Sequence, residues 1–98
     1  MSTASSSRFH NPAHWPVPET WCFAVQGEAS PGLMARILEL FAKRNLVPAR
    51  WHSALLPGAG ELSMDIQVAQ IDGESAAFIG RSMRQVVGVT AVLISRKG

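Results

Sequence analysis

One cysteine, Cys22, and a low charge density set the first limits on this chain. A lone cysteine excludes an intrachain disulfide and any Cys-x-x-Cys metal or redox site. Inside an apolar stretch it reads as a buried, inert thiol rather than a nucleophile. Charged residues make up 16% of the 98 residues, against about 25% in an average soluble domain. The basic residues Arg8, Arg36, Lys43, Arg44, Arg50, Arg81, Arg84, Arg96 and Lys97 are scattered, so they form no stripe for nucleic acid, and a net charge of +2 says little about partners. No stretch reaches the ~18 apolar residues of a membrane span, and no basic segment with an apolar run behind it opens the chain. These absences predict a soluble cytoplasmic protein with no nucleic-acid or membrane partner, no metal and no other cofactor.

What the chain has is apolar surface: 47% of its residues are hydrophobic. A chain this short allows one domain with one core, in the size range where pairing often supplements folding, so part of that surface is expected to meet another chain. Residues 1–19 are Ser-rich and then Pro-rich, and Pro12, Pro16 and Pro18 exclude regular helix or ladder pairing. They read as a flexible tail before a single domain over residues 20–98. Phe9, Trp15 and Trp21 are costly to leave in water, which predicts that the tail's second half lies extended over an apolar patch of the domain or its partner. His10 and His14 have the spacing of helical metal ligands, but Pro12 between them argues against the helix.

Trp21 to Gln26 reads as a strand, and its near-continuous apolarity predicts a central place in a sheet. Ser30 fits a helix N-cap and Pro31 the first helical position, which predicts a helix over Gly32 to Arg44. Leu33, Ile37, Leu40 and Phe41 form its apolar stripe, widened by Met34 and Leu38, while Glu39 and Lys43 are spaced for an ion pair. Asn45 after Lys43 and Arg44 suits a left-handed helix stop. A second strand, from near Pro48 through Trp51 and Ser53 to Leu56, is read as an edge because of its proline. After the turn Pro57-Gly58-Ala59-Gly60, Leu62, Met64, Ile66 and Val68 alternate with Ser63, Asp65 and Gln67, which is a strand with one buried face. Asp72 caps a second helix with Ala76, Ile79, Met83, Val86 and Val87 as its inward stripe, Gly88 ends it, and Val89 to Ser95 is the last strand. The order βαββαβ with right-handed crossovers predicts an α+β ferredoxin-like sandwich, a four-stranded antiparallel sheet with two helices on one face.

The run Val25-Gln26-Gly27-Glu28-Ala29-Ser30-Pro31-Gly32-Leu33, continuing through Leu40-Phe41 to Lys43-Arg44, resembles the opening of ACT domains, the small modules that sense amino acids. The small regulatory subunits of acetolactate synthase, a branched-chain amino acid biosynthetic enzyme, are the nearest resemblance, with Ile79 to Met83, Gln85-Val86-Val87 and Val89 similar to that family's second helix and exit strand. The resemblance covers about residues 21 to 95. It implies a non-catalytic regulatory module that pairs as a homodimer through the second strand and first helix, and a large catalytic subunit as partner. The implied dimer interface holds Val47, Ala49, Trp51 and Ser53. A small amino-acid effector is implied at Ala29, Ser30, Gly32 and Leu33, its carboxylate on the N–H groups of the helix start. Two positions depart from the pattern. Ala29 stands where ligand-binding members usually carry Asp or Asn, and Val47 where a polar residue is common, so the side chains that fix the ligand's amino group are missing. Short members with such a turn resemble activators more than feedback sensors.

Other readings compete. One is a pure protein–protein assembly module with no effector. Acylphosphatases also carry Val-Gln-Gly, as Val25-Gln26-Gly27 does, but here Glu28 puts a negative charge where their loop holds phosphate. RNA binding on the sheet face needs stacking aromatics on the third strand, and Glu61 to Ala69 has none. Ser53, His52 and Asp65 are near one another across the hairpin, but adjacent strand residues point to opposite faces, so no triad and no catalytic residue is expected.

Overall fold

The computed structural model describes residues 19–98, so the expectations for the tail before Glu19 lie outside the described residues. Its elements follow the order β1 (Glu19–Glu28), α1 (Leu33–Ala42), β2 (Arg50–Leu56), β3 (Glu61–Ile71), α2 (Gly73–Arg84) and β4 (Val89–Arg96). The strands form one antiparallel sheet in the order β2-β3-β1-β4. This is the predicted ferredoxin-like sandwich, with β1 in the middle and β2 at an edge. β1 begins at Glu19, the last residue assigned to the tail.

Alternation decides which face is buried. Phe23 and Val25 of β1 and Leu62, Met64, Ile66 and Val68 of β3 point into the core, where Leu33, Ile37 and Phe41 of α1 and Ala76, Ile79 and Met83 of α2 meet them. Phe23 and Phe41 pack edge to face with ring centroids 5.7 Å apart. On the other face, in register across the sheet, lie Arg50, Gln67, Cys22 and Ser95, and then His52, Asp65, Ala24 and Leu93. Cys22 is therefore half-buried on the open face rather than in the core.

Several local expectations are corrected. α1 starts at Leu33 with Gly32 as N-cap and no side-chain capping bond, because Ser30 and Pro31 are spent in a turn closed by the Leu33 N–H on the Ser30 carbonyl at 3.2 Å. α1 stops at Ala42, and Asn45 takes the left-handed conformation at φ 60°. Met34 and Leu38 are exposed and do not join the core stripe. Glu39 and Lys43 do not pair: among the described residues the one ion pair is Arg96 with Glu19 at 3.2 Å. β2 begins at Arg50 rather than near Pro48, although Ala49 already donates its N–H to the Gln67 carbonyl at 2.7 Å. α2 ends at Arg84 because Gln85 and Val86 tighten onto Ser82 and Met83 with three-residue bonds, which turns Val87 out to 83% exposure.

The Asp72 cap is as expected. Its carboxylate accepts the Ser75 N–H at 2.7 Å, and that bond holds its pKa below the ordinary carboxylate value. A carboxyl whose folded pKa is depressed adds stability above its unfolded pKa, about 3.9, and loses it as pH falls through the lower folded value. Asp72→Ala is expected to raise amide hydrogen exchange in the first turn of α2 and to flatten the acid limb of the stability curve below about pH 4. An unchanged acid limb would mean that the cap contributes nothing.

Candidate functional site

The site grows from the junction of β1 and α1. Gly27 is buried where three segments cross: a Cβ there would stand 2.6 Å from the Gly88 carbonyl oxygen and 2.7 Å from Leu33 Cδ2. Only glycine allows that approach. Past it, Glu28 donates its N–H to Gly88 O at 2.8 Å and Ala29 to Gly60 O at 3.0 Å, so the turn is tied to both neighbouring loops. A shallow depression of about 230 Å³ lies beside these ties, lined by residues that include Glu28, Gly60, Glu61 and Thr90.

The expected ligand positions divide unequally. Ala29 is exposed and offers no polar side chain, and Ser30 and Gly32 are half-buried. Leu33 is fully buried against Gly27 and Gly88, and its N–H is already bonded to Ser30, so it anchors the turn rather than offering a donor. Among the described residues, the N–H groups of Gly32, Met34 and Ala35 have no acceptor. Sequence reasoning passed over Arg36 as a site residue. Its Nη1 lies 2.8 Å from where a Gly32 Cβ would be, so the guanidinium rests on the glycine at the helix start. The i, i+4 spacing from Gly32 to Arg36 was the available signal. A cation beside the positive end of a helix dipole is unfavourable by itself, and an anion placed there would be met by both. The chemistry that fits is a carboxylate-sized anion.

The expected interface residues sit beside this turn at the β2 edge. Trp51 and Ser53 share the helix-side face of β2 with Leu55, by their register with Ile66, Met64 and Leu62. Trp51 Nε1 donates to Ser53 Oγ at 2.7 Å, and that hydroxyl donates on to Met34 Sδ at 3.3 Å, which joins the strand edge to α1. Met34 (40% exposed), Leu38 (47%) and Leu55 (64%) continue an apolar seam along this side. Ala49 and Val47 precede the strand, and Val47 is almost fully exposed. The opposite edge differs, because Arg84 reaches over it and donates to the Val92 carbonyl at 3.0 Å. A charged side chain bonded to an edge strand discourages pairing there.

His52 and Asp65 are cross-strand partners on the open face, whereas Ser53 is on the helix side, so the three residues do not converge. Among the described residues no group of three His, Cys, Asp or Glu side chains is arranged to hold a metal ion, and no helix is long and apolar enough to cross a membrane.

A family model described as an ACT-like domain matches residues 19–97. Among solved structures, the ACT domain from GTP pyrophosphokinase of Chlorobium tepidum superposes with a TM-score of 0.69 at 14% identity, over 81% of this chain and 100% of that one. A homoserine dehydrogenase from Thiobacillus denitrificans gives 0.69 at 11% identity over 83% of this chain and 18% of its own. A formyltetrahydrofolate deformylase from Pseudomonas putida gives 0.62 at 14% over 79% and 28%. In those two enzymes the likeness is to one part of a longer chain, and at such identities it is a likeness of fold. Among curated proteins, none matches the sequence.

Proposed function

The chain belongs to the ACT-like domain family, and on that premise we propose that it is a non-catalytic regulatory module that pairs side by side with a second copy and modulates an amino-acid biosynthetic enzyme. ACT-like domains are typically regulatory. The observation that carries the pairing is the apolar seam of Met34, Leu38, Trp51 and Leu55, which flanks a β2 edge whose outer side has no neighbouring strand among the described residues. Two such edges meeting would bury both seams and continue the sheet from one protomer to its partner. With β4 guarded by Arg84, the β2 edge is the favoured one.

The turn at Gly32 lies beside that seam. In this reading an amino-acid effector places its carboxylate on the N–H groups of Met34 and Ala35 and on the Arg36 guanidinium, next to the partner's surface. Ala29 supplies no acceptor for the ammonium group, which favours weak binding. The resemblance to small subunits of acetolactate synthase makes its large thiamine-dependent subunit the proposed enzyme partner.

A thermal-shift screen over the amino acids tests the effector. One of them at millimolar concentration is expected to raise the melting temperature in a concentration-dependent way, and Arg36→Ala is expected to abolish that rise while leaving the ligand-free melting temperature within about a degree or two. If no amino acid shifts the wild-type protein, the module works by assembly alone. Copurification of a large thiamine-dependent subunit tests the proposed enzyme.

A further inference from the structure

We propose that Arg44, Phe78 and Arg81 on the helix layer form a docking surface for an acidic segment of a partner protein, with carboxylates on the two guanidiniums and a neighbouring apolar side chain in the depression beside Arg44. Arg44 follows the end of α1, while Phe78 and Arg81 lie one turn apart on α2. The fold brings Arg44 Cζ to 4.0 Å from the centroid of the Phe78 ring, with Arg81 Cζ at 5.7 Å from the same centroid. One exposed ring thus holds two cations in place. A guanidinium over a ring face keeps its N–H fork available for bidentate contact with a carboxylate.

The chain does not itself answer those charges. Its acidic side chains are Glu19, Glu28, Glu39, Glu61, Asp65, Asp72 and Glu74, all among the described residues, and the one ion pair there is Arg96 with Glu19. No acidic side chain lies before Glu19, so that stretch cannot supply one. The helices and their ends carry Arg36, Lys43, Arg44, Arg81 and Arg84 against Glu39, Asp72 and Glu74, whereas the strands carry Glu19, Glu28, Glu61 and Asp65 against Arg50 and Arg96. Such segregation of charge steers an acidic partner to the helix side.

The surroundings also set an orientation. Beside Arg44 a depression of about 360 Å³ is lined by Leu46, Ile71, Gln70, Asp72 and Ser75. Asp72 is ionised and turned into its cap, so it repels a carboxylate placed in the depression but tolerates an apolar group over Leu46 and Ile71. Acidic side chains therefore go to the Arg44 and Arg81 side, and the apolar one goes into the depression. The cluster lies at the end of α1 opposite the Gly32 turn, so it neither needs the effector nor competes with it.

The test is an NMR titration of the full chain with a short blocked peptide of glutamates around one leucine. Amide shifts are expected at Arg44, Leu46 and along α2, and they should weaken as salt is raised. Arg44→Gln with Arg81→Gln should lower the affinity at least about tenfold, and the matching pair of lysine substitutions, which keeps the charge, should lower it by several-fold because the bidentate fork is lost. Several results would overturn the proposal. These are no shifts at millimolar peptide, shifts spread equally over Arg36, Arg50 and Arg96, unchanged affinity in the lysine pair, or equal binding of tripolyphosphate, which would mark a plain anion site. Self-association abolished by the glutamine pair would assign the surface to a second copy instead.

Discussion

Phe23→Ala is expected to lower the unfolding free energy by about 3–5 kcal/mol. Phe23 is 1% exposed at the middle of the central strand, and its ring meets that of Phe41 edge to face at an interplanar angle of 74°. Phe41 is in the last turn of α1, so the pair fastens the C-terminal end of that helix to the sheet, while Leu33 against Gly27 fastens its start. Truncation removes the transfer free energy of the ring and leaves a cavity between rigid neighbours that relax only partly. Against a typical total of about 5–15 kcal/mol, this is a large fraction of what holds a small domain folded. Urea unfolding followed by tryptophan fluorescence measures it, and a double-mutant cycle with Phe41→Ala is expected to show a coupling of about 0.5–1.5 kcal/mol beyond simple area. A loss below about 1 kcal/mol would mean that this contact does not anchor α1.

The second large effect concerns pairing. In the proposed dimer, Leu55→Asp is expected to raise the dissociation constant at least about a hundredfold, because it removes an apolar side chain from the seam and sets like charges near one another across a two-fold axis. Leu55 is 64% exposed in the single chain, so the fold itself should lose no more than about 0.5 kcal/mol. Leu93→Asp is the control. Leu93 is similarly exposed at 69% but lies on the open face of β4, at the far side of the sheet from β2. Light scattering over a dilution series should find the Leu55 variant monomeric where the wild type and the Leu93 variant are dimers. If the Leu93 change dissociates the dimer and the Leu55 change does not, pairing uses the open face instead.

Much of the architecture was legible residue by residue. The alternation of Leu62, Met64, Ile66 and Val68 against polar neighbours is a period that only a strand satisfies, and all four are buried. Asn45 in a left-handed conformation and Asp72 as a cap were readable because each acts on the backbone within a few residues of itself. The helix start was misread for the same local reason. Ser30-Pro31 has the chemistry of a cap and first turn, but the ties of Glu28 to Gly88 and of Ala29 to Gly60 pull the chain into a separate turn first, and these are long-range bonds. Met34 and Leu38 illustrate another limit. A wide apolar stripe on a helix has the same periodicity whether all of it meets its own core or part of it faces outward, and the width of the sheet beneath decides which.

The geometry of the candidate turn was legible only in part. The Pro31-Gly32 junction was marked by its composition, and the four-residue spacing puts Arg36 on the same helix face as Gly32 without selecting the rotamer that rests the guanidinium on the glycine. The sequence by itself determined the order of elements and the buried face of β3, since these follow from periodicity and turn chemistry along the chain, and its resemblance to ACT domains agrees with the family match. Tertiary structure alone decided that Met34 would meet Ser53 at a sheet edge, that Arg84 would guard the other edge, and that Arg44 would lie over Phe78. Each of those contacts joins elements whose separation is set by packing, and packing is a property of the whole core rather than of any stretch of the chain.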